Sequence, residues 1–489
     1  MKFSRLIALL LLLAVPVALA DGLPDLGEVS QSSFSPQMER RLGEAIMTEI
    51  RRDRSLLVDA ELTEYLNNLG YRLVAASPDN HQDFEFFVIQ DNMVNAFALP
   101  GGFIGVHTGL LMTAQSESEL AAVLGHEIAH VTQHHLARMI SKESQSMLTS
   151  LAAVAVAILA SRSNPQLGSA AIATAQATSI QNYLNFTRDN EREADRVGLQ
   201  ILAKAGFDPH AAEAFFERLQ KATRLYDNNA PDYLRTHPVT SERIADIQNR
   251  LVELPYHQTQ ENIDFYLLRA KLRAAEGNPA QALKFFEESL REKKYVNESA
   301  QRYGLVTALV RMKKFERAEL ELAQLRKDLP LDAIVENLAA QVKLAAGKED
   351  AALAQYRAAL RNFPNRRPLV YGYAEALLRN KQSAEALKVL AREQETYPND
   401  ARLYQIQAQG YAAQGKWLLS NQALAEAYLR QGNLGAAVTQ LQIGLKSGDG
   451  DFYQLSAAEA RLKQLHALDK ERKALEKGKS NPAGGLKNS

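Results

Sequence analysis

The chain has 489 residues, with 57 basic and 57 acidic side chains and no cysteine. Balanced charge without a basic stripe argues against a nucleic-acid partner. The absence of cysteine excludes disulfides, a lipid-modified N-terminal cysteine and cysteine zinc ligands. A chain of this length can still fold without disulfides, because it can bury a large core. The length alone suggests about three domains, and we interpret the chain as two.

The first twenty residues have the features of a secretory signal peptide. A short basic start, Met1–Arg5, precedes the apolar run Leu6–Val17, and Ala18-Leu19-Ala20 fits the small-x-small cleavage rule. The apolar run is too short for a membrane anchor. We therefore expect a signal peptide at 1–20, cleaved after Ala20, and an exported, slightly acidic mature chain.

The next segments predict a helix and then a strand. Ser35-Pro36 is typical of a helix start, because proline fits the first helical position. Apolar residues recur at helical spacing from Met38 to Ile50. The stretch Phe84–Gln90 has the composition of a strand.

One helical turn carries the most informative motif, His126-Glu127-Ile128-Ala129-His130. Ser116 and Glu119 form a capping box that predicts the start of its helix. His126 and His130 lie one turn apart on one face, so both imidazoles can bind one Zn²⁺ ion. Glu127 between them can act as a general base. The alternative is a helix whose histidines and glutamate lie on a solvated face.

Two further histidines follow the motif. A metzincin would have glycine at 133 and histidine at 136. The sequence has Gln133 and Leu136, which excludes that class. Since three ligands on one straight helix would diverge, we expect His134 and His135 to be exposed or to lie at the rim of the site.

The segment 147–178 is unusually apolar. Met147–Ala160 and Gly168–Thr178 are separated by Asn164-Pro165, and neither reaches the roughly 18 residues of a spanning helix. A buried helical hairpin is one interpretation. The other is a flap over the cleft, or a surface that meets a membrane or an unfolded client.

The motif Glu191-Arg192-Glu193-Ala194-Asp195 offers the third ligand. Glu191 and Asp195 share a helical face, and Glu193 points elsewhere. We expect Glu191 to bind the metal and Asp195 to orient a ligand histidine. We expect Glu193 to be solvated.

His237 lies in Thr236-His237-Pro238, where the proline favours an extended or turning backbone. A histidine there could occupy the open zinc position, donate to the oxyanion, or be an ordinary surface residue. The stretch 255–261 follows as the predicted junction between the two domains.

The C-terminal half is a repeat array. Pro330, Pro364 and Pro398 are spaced by 34 residues, and Gly347, Lys381 and Gly415 follow the same period. This period is typical of tetratricopeptide repeats, whose stacked helix pairs form a concave binding surface.

We predict repeats from Asn262 to Ser447 within a repeat domain at 262–475. A last helix pair or cap is expected at Asp451–Leu475. The remaining residues, 476–489, are expected to be disordered.

These motifs together resemble the HtpX and CAAX-prenyl-protease family of zinc metallopeptidases. The resemblance covers about residues 35–250 and rests on His126–His130, Glu191–Asp195, Thr236-His237-Pro238 with Glu242-Arg243, and Asn95–Gly102.

The resemblance implies ligands, catalytic groups and a regulatory group. His126, His130 and Glu191 would hold one Zn²⁺ per chain. Glu127 and Asp195 would be the catalytic carboxylates. His237 would be a regulatory histidine, or fourth zinc ligand, that can occupy the free position on the metal in a resting state.

The resemblance also implies a place for substrate. The family's edge strand beside the cleft falls on Asn95, Ala96 and Phe97 and continues to Leu99. Gly101-Gly102 would form the turn into the next strand. A peptide pairing with this strand would be held by its main chain, which implies broad sequence tolerance.

With its repeats, the chain resembles the periplasmic branch of that family. The expected fold is mainly α with a small β-sheet: a gluzincin-type zinc metalloprotease domain at 21–255 followed by a tetratricopeptide solenoid. The implied function is a periplasmic zinc endopeptidase with a chaperone-like role.

The implied partners are unfolded or misassembled outer-membrane proteins and their assembly machinery. Segment 147–178 could supply a peripheral membrane contact. The alternatives are a non-proteolytic assembly chaperone and a repeat adaptor with a structural zinc site.

Overall fold

The computed structural model describes residues 35–79, 81–142, 188–225, 232–254, 259 and 262–479. The predicted signal peptide at 1–20 and the apolar segment 147–178 lie outside the described residues, as does most of the predicted junction 255–261.

Nine helices and three strands are described before residue 255. They are α1 Pro36–Ile50, α2 Ala60–Ala76, β1 Glu85–Ile89, β2 Ala96–Leu99, β3 Phe103–His107, α3 Thr108–Thr113, α4 Glu117–Thr132, α5 His135–Lys142, α6 Arg188–Lys204, α7 His210–Leu225, α8 Asp232–Thr236 and α9 Ser241–Leu251.

The three strands form one sheet in the order β1-β3-β2. β1 runs parallel to β3, with Phe86 opposite Ile104, and β2 runs antiparallel to β3, with Phe97 opposite Gly105. β2 is therefore an edge strand of the described sheet. It begins one residue later than the predicted strand, and Asn95 bonds instead through its carbonyl to the His107 amide, at 3.0 Å.

Helix α4 carries the His126–His130 motif and lies at the centre of the first half. Its predicted cap is confirmed, because the Ser116 hydroxyl accepts from the Glu119 amide at 3.2 Å. All sixteen residues of α4 are buried. A helix buried on every side must satisfy its polar groups internally, since water does not reach them.

Helices α4 and α6 pack with their backbones close together, which positions the site. Gly125 of α4 meets Gly198 of α6, where a Cβ atom on Gly198 would lie 3.1 Å from the His126 backbone. Any larger side chain at this crossing would push the helices apart. The glycine pair thereby brings the Glu191 end of α6 to the histidines.

The second half consists of twelve helices in six antiparallel pairs. They are α10 Ile263–Ala275, α11 Pro279–Glu292, α12 Glu298–Arg311, α13 Phe315–Asp328, α14 Ala333–Ala345, α15 Glu349–Asn362, α16 Arg367–Arg379, α17 Ser383–Thr396, α18 Ala401–Ala412, α19 Trp417–Arg430, α20 Leu434–Leu445 and α21 Phe452–Lys479. Left-handed residues mark the turn inside four successive pairs at the predicted period of 34: Lys313, Gly347, Lys381 and Gly415. The predicted fold class, mainly α with a small sheet, is confirmed.

The C-terminal end differs from the sequence prediction. A single helix, α21, spans Phe452–Lys479, so of the two expected alternatives, a helix pair or a cap, the helix pair is not observed. It continues four residues past 475, into the segment 476–489 that was predicted to be disordered. Ala, Leu, Glu and Lys dominate this stretch and favour helix, so no residue stops it at 475. Residues 480–489 lie outside the described part of the chain.

The repeats pack directly against the first half. Glu61 of α2 is buried and accepts from Lys271 and from Asn337, both at 2.7 Å. Arg366 forms an ion pair with Glu64 of α2 at 3.0 Å. One hydrophobic core runs from α2 and α4 into the first three repeat pairs, so the two halves share their interior. No helix among the described residues is both long and apolar enough to span a bilayer.

Candidate metal centre

Two histidines from α4 and a carboxylate from α6 meet in the core. The Nε2 atoms of His126 and His130 lie 3.0 Å apart. Glu191 places its carboxylate oxygens 3.5 Å from His126 Nε2 and 3.4 Å from His130 Nε2. All three side chains are buried. The predicted ligand set is thus brought together by two helices that are separated by some sixty residues of sequence.

His237 supplies a fourth nitrogen. It follows α8, and its Nδ1 lies 3.0 Å from Glu191 Oε1 and 3.4 Å from His126 Nε2. Its amide donates to the Tyr233 carbonyl at 2.7 Å, and its ring stacks on the Tyr233 ring at 5.0 Å between centroids. His237 therefore lies inside the site, and the surface position considered from the sequence is wrong.

The spacing of these four side chains fits a small tetrahedral ion. One ligand atom from each of His126, His130, Glu191 and His237 lies within 4.8 Å of the others. A tetrahedral zinc ion with bonds of about 2.0–2.1 Å places its ligand atoms about 3.3–3.4 Å apart. Five of the six pairs of groups approach to 3.0–3.5 Å, which is close to that length, when the nearer Glu191 oxygen is taken for each pair. The donor set suits a divalent metal.

The charge of the cluster also calls for a cation. Three carboxylates, those of Glu127, Glu191 and Asp195, are buried beside one guanidinium, that of Arg243. When the histidines are neutral, as metal ligands must be, and all three acids are ionised, three negative charges against one positive charge leave a net of two negative charges. Buried charge without a counterion is costly, and a divalent cation would balance it.

Glu127 lies in the site without belonging to the donor set. It is fully buried, both of its carboxylate oxygens are without a hydrogen bond in the described part of the chain, and Oε1 lies 3.6 Å from His237 Nε2. Burial raises the pKa of Glu127, and the charges of His237 and His126 oppose this rise. The main-chain amide of Ala98 in β2 also lowers this pKa, although it makes no hydrogen bond of normal geometry with the carboxylate.

Asp195 holds the far side of His126. Its Oδ1 lies 3.0 Å from His126 Nδ1, so that Nε2 faces the donor cluster. Arg243 donates to both oxygens of Asp195 at 2.7 Å and lies 2.8 Å from Glu191 Oε2. Burial alone would raise the pKa of Asp195, but these bonds from Arg243 and His126 hold it below the usual range.

The role of Arg243 was missed from the sequence, although a signal was present. It lies in the first turn of α9, capped by Thr240, where the helix dipole disfavours a cation. A buried arginine in that position needs carboxylate partners. Asp195 and Glu191 are those partners.

His135 and Glu193 differ from the sequence predictions. His135 was expected at the rim, but it is fully buried and its Nδ1 lies 2.7 Å from His130 Nδ1. Helix α4 ends at Thr132, and His134 adopts a left-handed φ of 50°, so α5 turns His135 back toward the site. Glu193, expected to be solvated, is partly exposed, but it also lies 3.1 Å from His135 Nε2 and accepts from Arg138 at 2.6 Å.

The predicted substrate strand lies at the open edge of the sheet. Ala96 is buried, and the Phe97 ring packs against Phe87 and His107 at 5.9 and 5.8 Å between centroids. The loop before the strand is tied to the site, because the Tyr233 amide donates to the Val94 carbonyl at 3.1 Å. The strand's side chains therefore serve packing, while its outer main-chain edge has no partner strand among the described residues.

Comparison with known proteins agrees with this geometry. The model of peptidase family M48 matches residues 60–251, and a tetratricopeptide repeat model matches residues 273–342 and 343–410. The beta-barrel assembly-enhancing protease of Yersinia pestis is 33% identical over 462 residues, which cover 92% of each chain. That of Escherichia coli strain K12 is 32% identical over 450 residues, again 92% of each chain.

A further relative matches the first half. The mitochondrial metalloendopeptidase OMA1 of Schizosaccharomyces pombe is 32% identical over 235 residues, covering 46% of this chain and 66% of that protein. The buried donor set, the family models and relatives that match along nearly the whole length agree. This chain belongs to peptidase family M48, as a metalloprotease with C-terminal tetratricopeptide repeats.

Proposed function

We propose that this protein is a zinc endopeptidase in which His126, His130 and Glu191 hold one Zn²⁺ per chain. The observation that carries the proposal is a buried set of donors beside a carboxylate, Glu127, that has no hydrogen bond of its own. When bound, zinc polarises the scissile carbonyl and lowers the pKa of water. That chemistry needs a neighbouring base, which Glu127 supplies.

Glu127 moves the proton during hydrolysis. Its carboxylate takes a proton from the attacking water and passes it to the nitrogen of the leaving amine. Glu127 is fully buried beside the donor set, so bulk water does not compete with it for the proton. Asp195 fixes the orientation of His126, and Arg243 holds Asp195 and Glu191 in place.

The edge strand β2 presents the substrate. An extended peptide can add to the unpaired main chain of 96–99, beside α4, and thereby pass Glu127. Such pairing uses the peptide backbone and makes few demands on its side chains. We therefore expect cleavage of unfolded segments of varied sequence.

His237 restrains the enzyme in the resting state. Its Nδ1 completes the four-donor set, and a catalytic site must keep one position open for water. The Tyr233 stacking and the bond to the Tyr233 carbonyl hold it there. A displacement that requires only a few kcal/mol could be driven by a client or a partner bound to the repeats.

The proposed setting is the periplasm, after removal of the signal peptide at 1–20. The beta-barrel assembly-enhancing proteases match this chain over 92% of its length, so the proposed clients are misassembled outer-membrane proteins. The repeats would bind these clients or their assembly machinery, with a chaperone-like role beside proteolysis. Degradation would then remove clients that fail to assemble.

A structural zinc site is the alternative that the geometry raises. Four donors match the closed coordination of structural sites. Glu127 argues against it, because a structural site has no use for a buried base without a hydrogen bond. A non-proteolytic chaperone would likewise leave this carboxylate without a role.

The experiment is a metal titration of the purified protein with casein as unfolded substrate. Elemental analysis should give one zinc per chain, removal of zinc with a chelator should stop cleavage, and stoichiometric zinc should restore it. Zinc binding without any cleavage, even after His237→Ala, would contradict the protease proposal and favour the structural alternative.

A further inference from the structure

His130 is held on its far side by a histidine rather than by a carboxylate. Its Nδ1 lies 2.7 Å from His135 Nδ1, within hydrogen-bond distance. His135 Nε2 lies 3.1 Å from Glu193 Oε2, and Arg138 donates to the same oxygen at 2.6 Å. A chain of hydrogen-bonded groups thus leads from the donor cluster to an arginine on α5.

The positions of the hydrogens follow from this chain. Two nitrogens 2.7 Å apart can share only one hydrogen, so one ring donates and the other accepts. When His130 offers the lone pair of Nε2 to a metal, its Nδ1 carries the hydrogen and donates to His135 Nδ1. His135 must then carry its hydrogen on Nε2, and that hydrogen is donated to the Glu193 carboxylate.

We propose that His135 is a positioning residue for the metal centre, which fixes the tautomer and ring orientation of His130 and is itself fixed by Glu193. This inference rests on the proposed zinc site. It assigns to a histidine outside the donor set the task that Asp195 performs for His126.

The two ligand histidines are supported in parallel ways. His126 Nδ1 meets Asp195, which is held by Arg243. His130 Nδ1 meets His135, whose partner Glu193 is held by Arg138. In both cases an arginine-held carboxylate ends the chain, and in both cases the Nε2 atom is left facing the donor cluster. Partners of this kind typically change metal affinity by about 10- to 100-fold when they are removed.

Three substitutions at position 135 separate positioning from packing. His135→Asn places an amide oxygen near the position of Nδ1, so it can still accept from His130. His135→Gln places its amide near Nε2, which keeps a partner for Glu193 but leaves His130 Nδ1 without an acceptor. His135→Leu fills the space without a polar atom.

The matched control is the adjacent histidine. His134 faces Gln82 and Asp79, and its left-handed φ of 50° is one that asparagine adopts readily. His134→Asn therefore repeats the chemical change one residue away without altering the partner of His130.

The measurement is zinc affinity by competition with a chelator, together with the visible spectrum of the cobalt-substituted protein. Thermal unfolding of each metal-free variant checks its fold. We expect Gln and Leu at position 135 to weaken zinc binding by about 10- to 100-fold and to change the cobalt bands. We expect His135→Asn and His134→Asn to stay within about threefold of the parent.

Two results would overturn the inference. One is unchanged affinity in His135→Gln and His135→Leu, and the other is a loss in His135→Asn as large as that in His135→Gln. Either result, with zinc bound normally by the parent protein, leaves the proposed function intact. A parent protein that binds no zinc would overturn the proposed function and this inference together.

Discussion

The metal centre and the repeat array are built in opposite ways. The centre depends on side chains from α4, α6 and the loop after α8, which meet only in the folded core. The repeats depend on neighbouring helices that recur every 34 residues, each pair packing on the next. In the metal centre, each side chain contacts one specific partner. In the repeat array, each position recurs in the other repeats with a similar environment. Single changes should therefore have large effects in the centre and small, distributed effects in the array.

The largest expected effect is a loss of bound zinc, and it should distinguish two glutamates of α6. Glu191→Gln removes a ligand and should lose most of the bound zinc, with loss of proteolysis. Glu193→Gln should retain zinc within about tenfold, because its amide oxygen can still accept from His135. Elemental analysis of both purified variants makes the comparison. Loss of zinc in Glu193→Gln with retention in Glu191→Gln would show that the wrong carboxylate was assigned.

A smaller effect is expected one turn along the same helix. Asp195→Asn keeps the shape of the side chain and an oxygen that can face His126, but it weakens the pairing with Arg243. Zinc affinity should fall by about 10- to 100-fold, measured by chelator competition. A zinc affinity equal to that of the parent would show that Asp195 does not support the metal centre.

His237→Ala should act in the opposite direction. Removal of the fourth donor opens the metal and should raise cleavage of unfolded protein by about tenfold, which corresponds to a restraint of about 1.4 kcal/mol. Initial rates on casein, at matched zinc content, are the measurement. If His237 instead stabilises the oxyanion, the rate should fall by about 100-fold or more with zinc and fold intact.

The smallest effects are expected in the array, at equivalent turn positions. Gly347 has a φ of 73°, and Lys381 occupies the same left-handed turn one repeat later with a φ of 58°. Gly347→Ala should lower the free energy of unfolding by about 1 kcal/mol, because a Cβ atom disfavours this conformation. Lys381→Gly should change it by less than about 1 kcal/mol. Urea unfolding compares them, and a loss of several kcal/mol at either position would contradict equivalence of the turns.

The same contrast explains what the sequence could predict. The 34-residue period identified the turns, even at Lys381, because the information is local and repeated. His126 and His130 could be selected because they share one helical face, and Glu191 because it shares a face of a second helix with Asp195. His135 could not be selected, because its burial depends on the helix break at His134. A histidine at that position gives no sequence signal for such a break. Arg243 was missed because its partners lie on another helix, although a cation in the first turn of α9 was a usable signal.

Corrections at the C-terminus have a different cause. The composition favours helix up to and beyond 475, and the stop signals in the sequence, Gly478 and Asn481-Pro482, lie past the predicted boundary. The structure continues α21 to Lys479 as one helix.

The central claim is that Glu127 is a catalytic base beside a metal held by other residues, and one substitution tests it most directly. Glu127→Gln should leave one zinc per chain and an unchanged unfolding transition, while casein cleavage falls by about 100- to 10,000-fold. His134→Asn, prepared in parallel, should retain the zinc and the cleavage of the parent. Cleavage by Glu127→Gln at the parental rate, with zinc bound, would contradict the account.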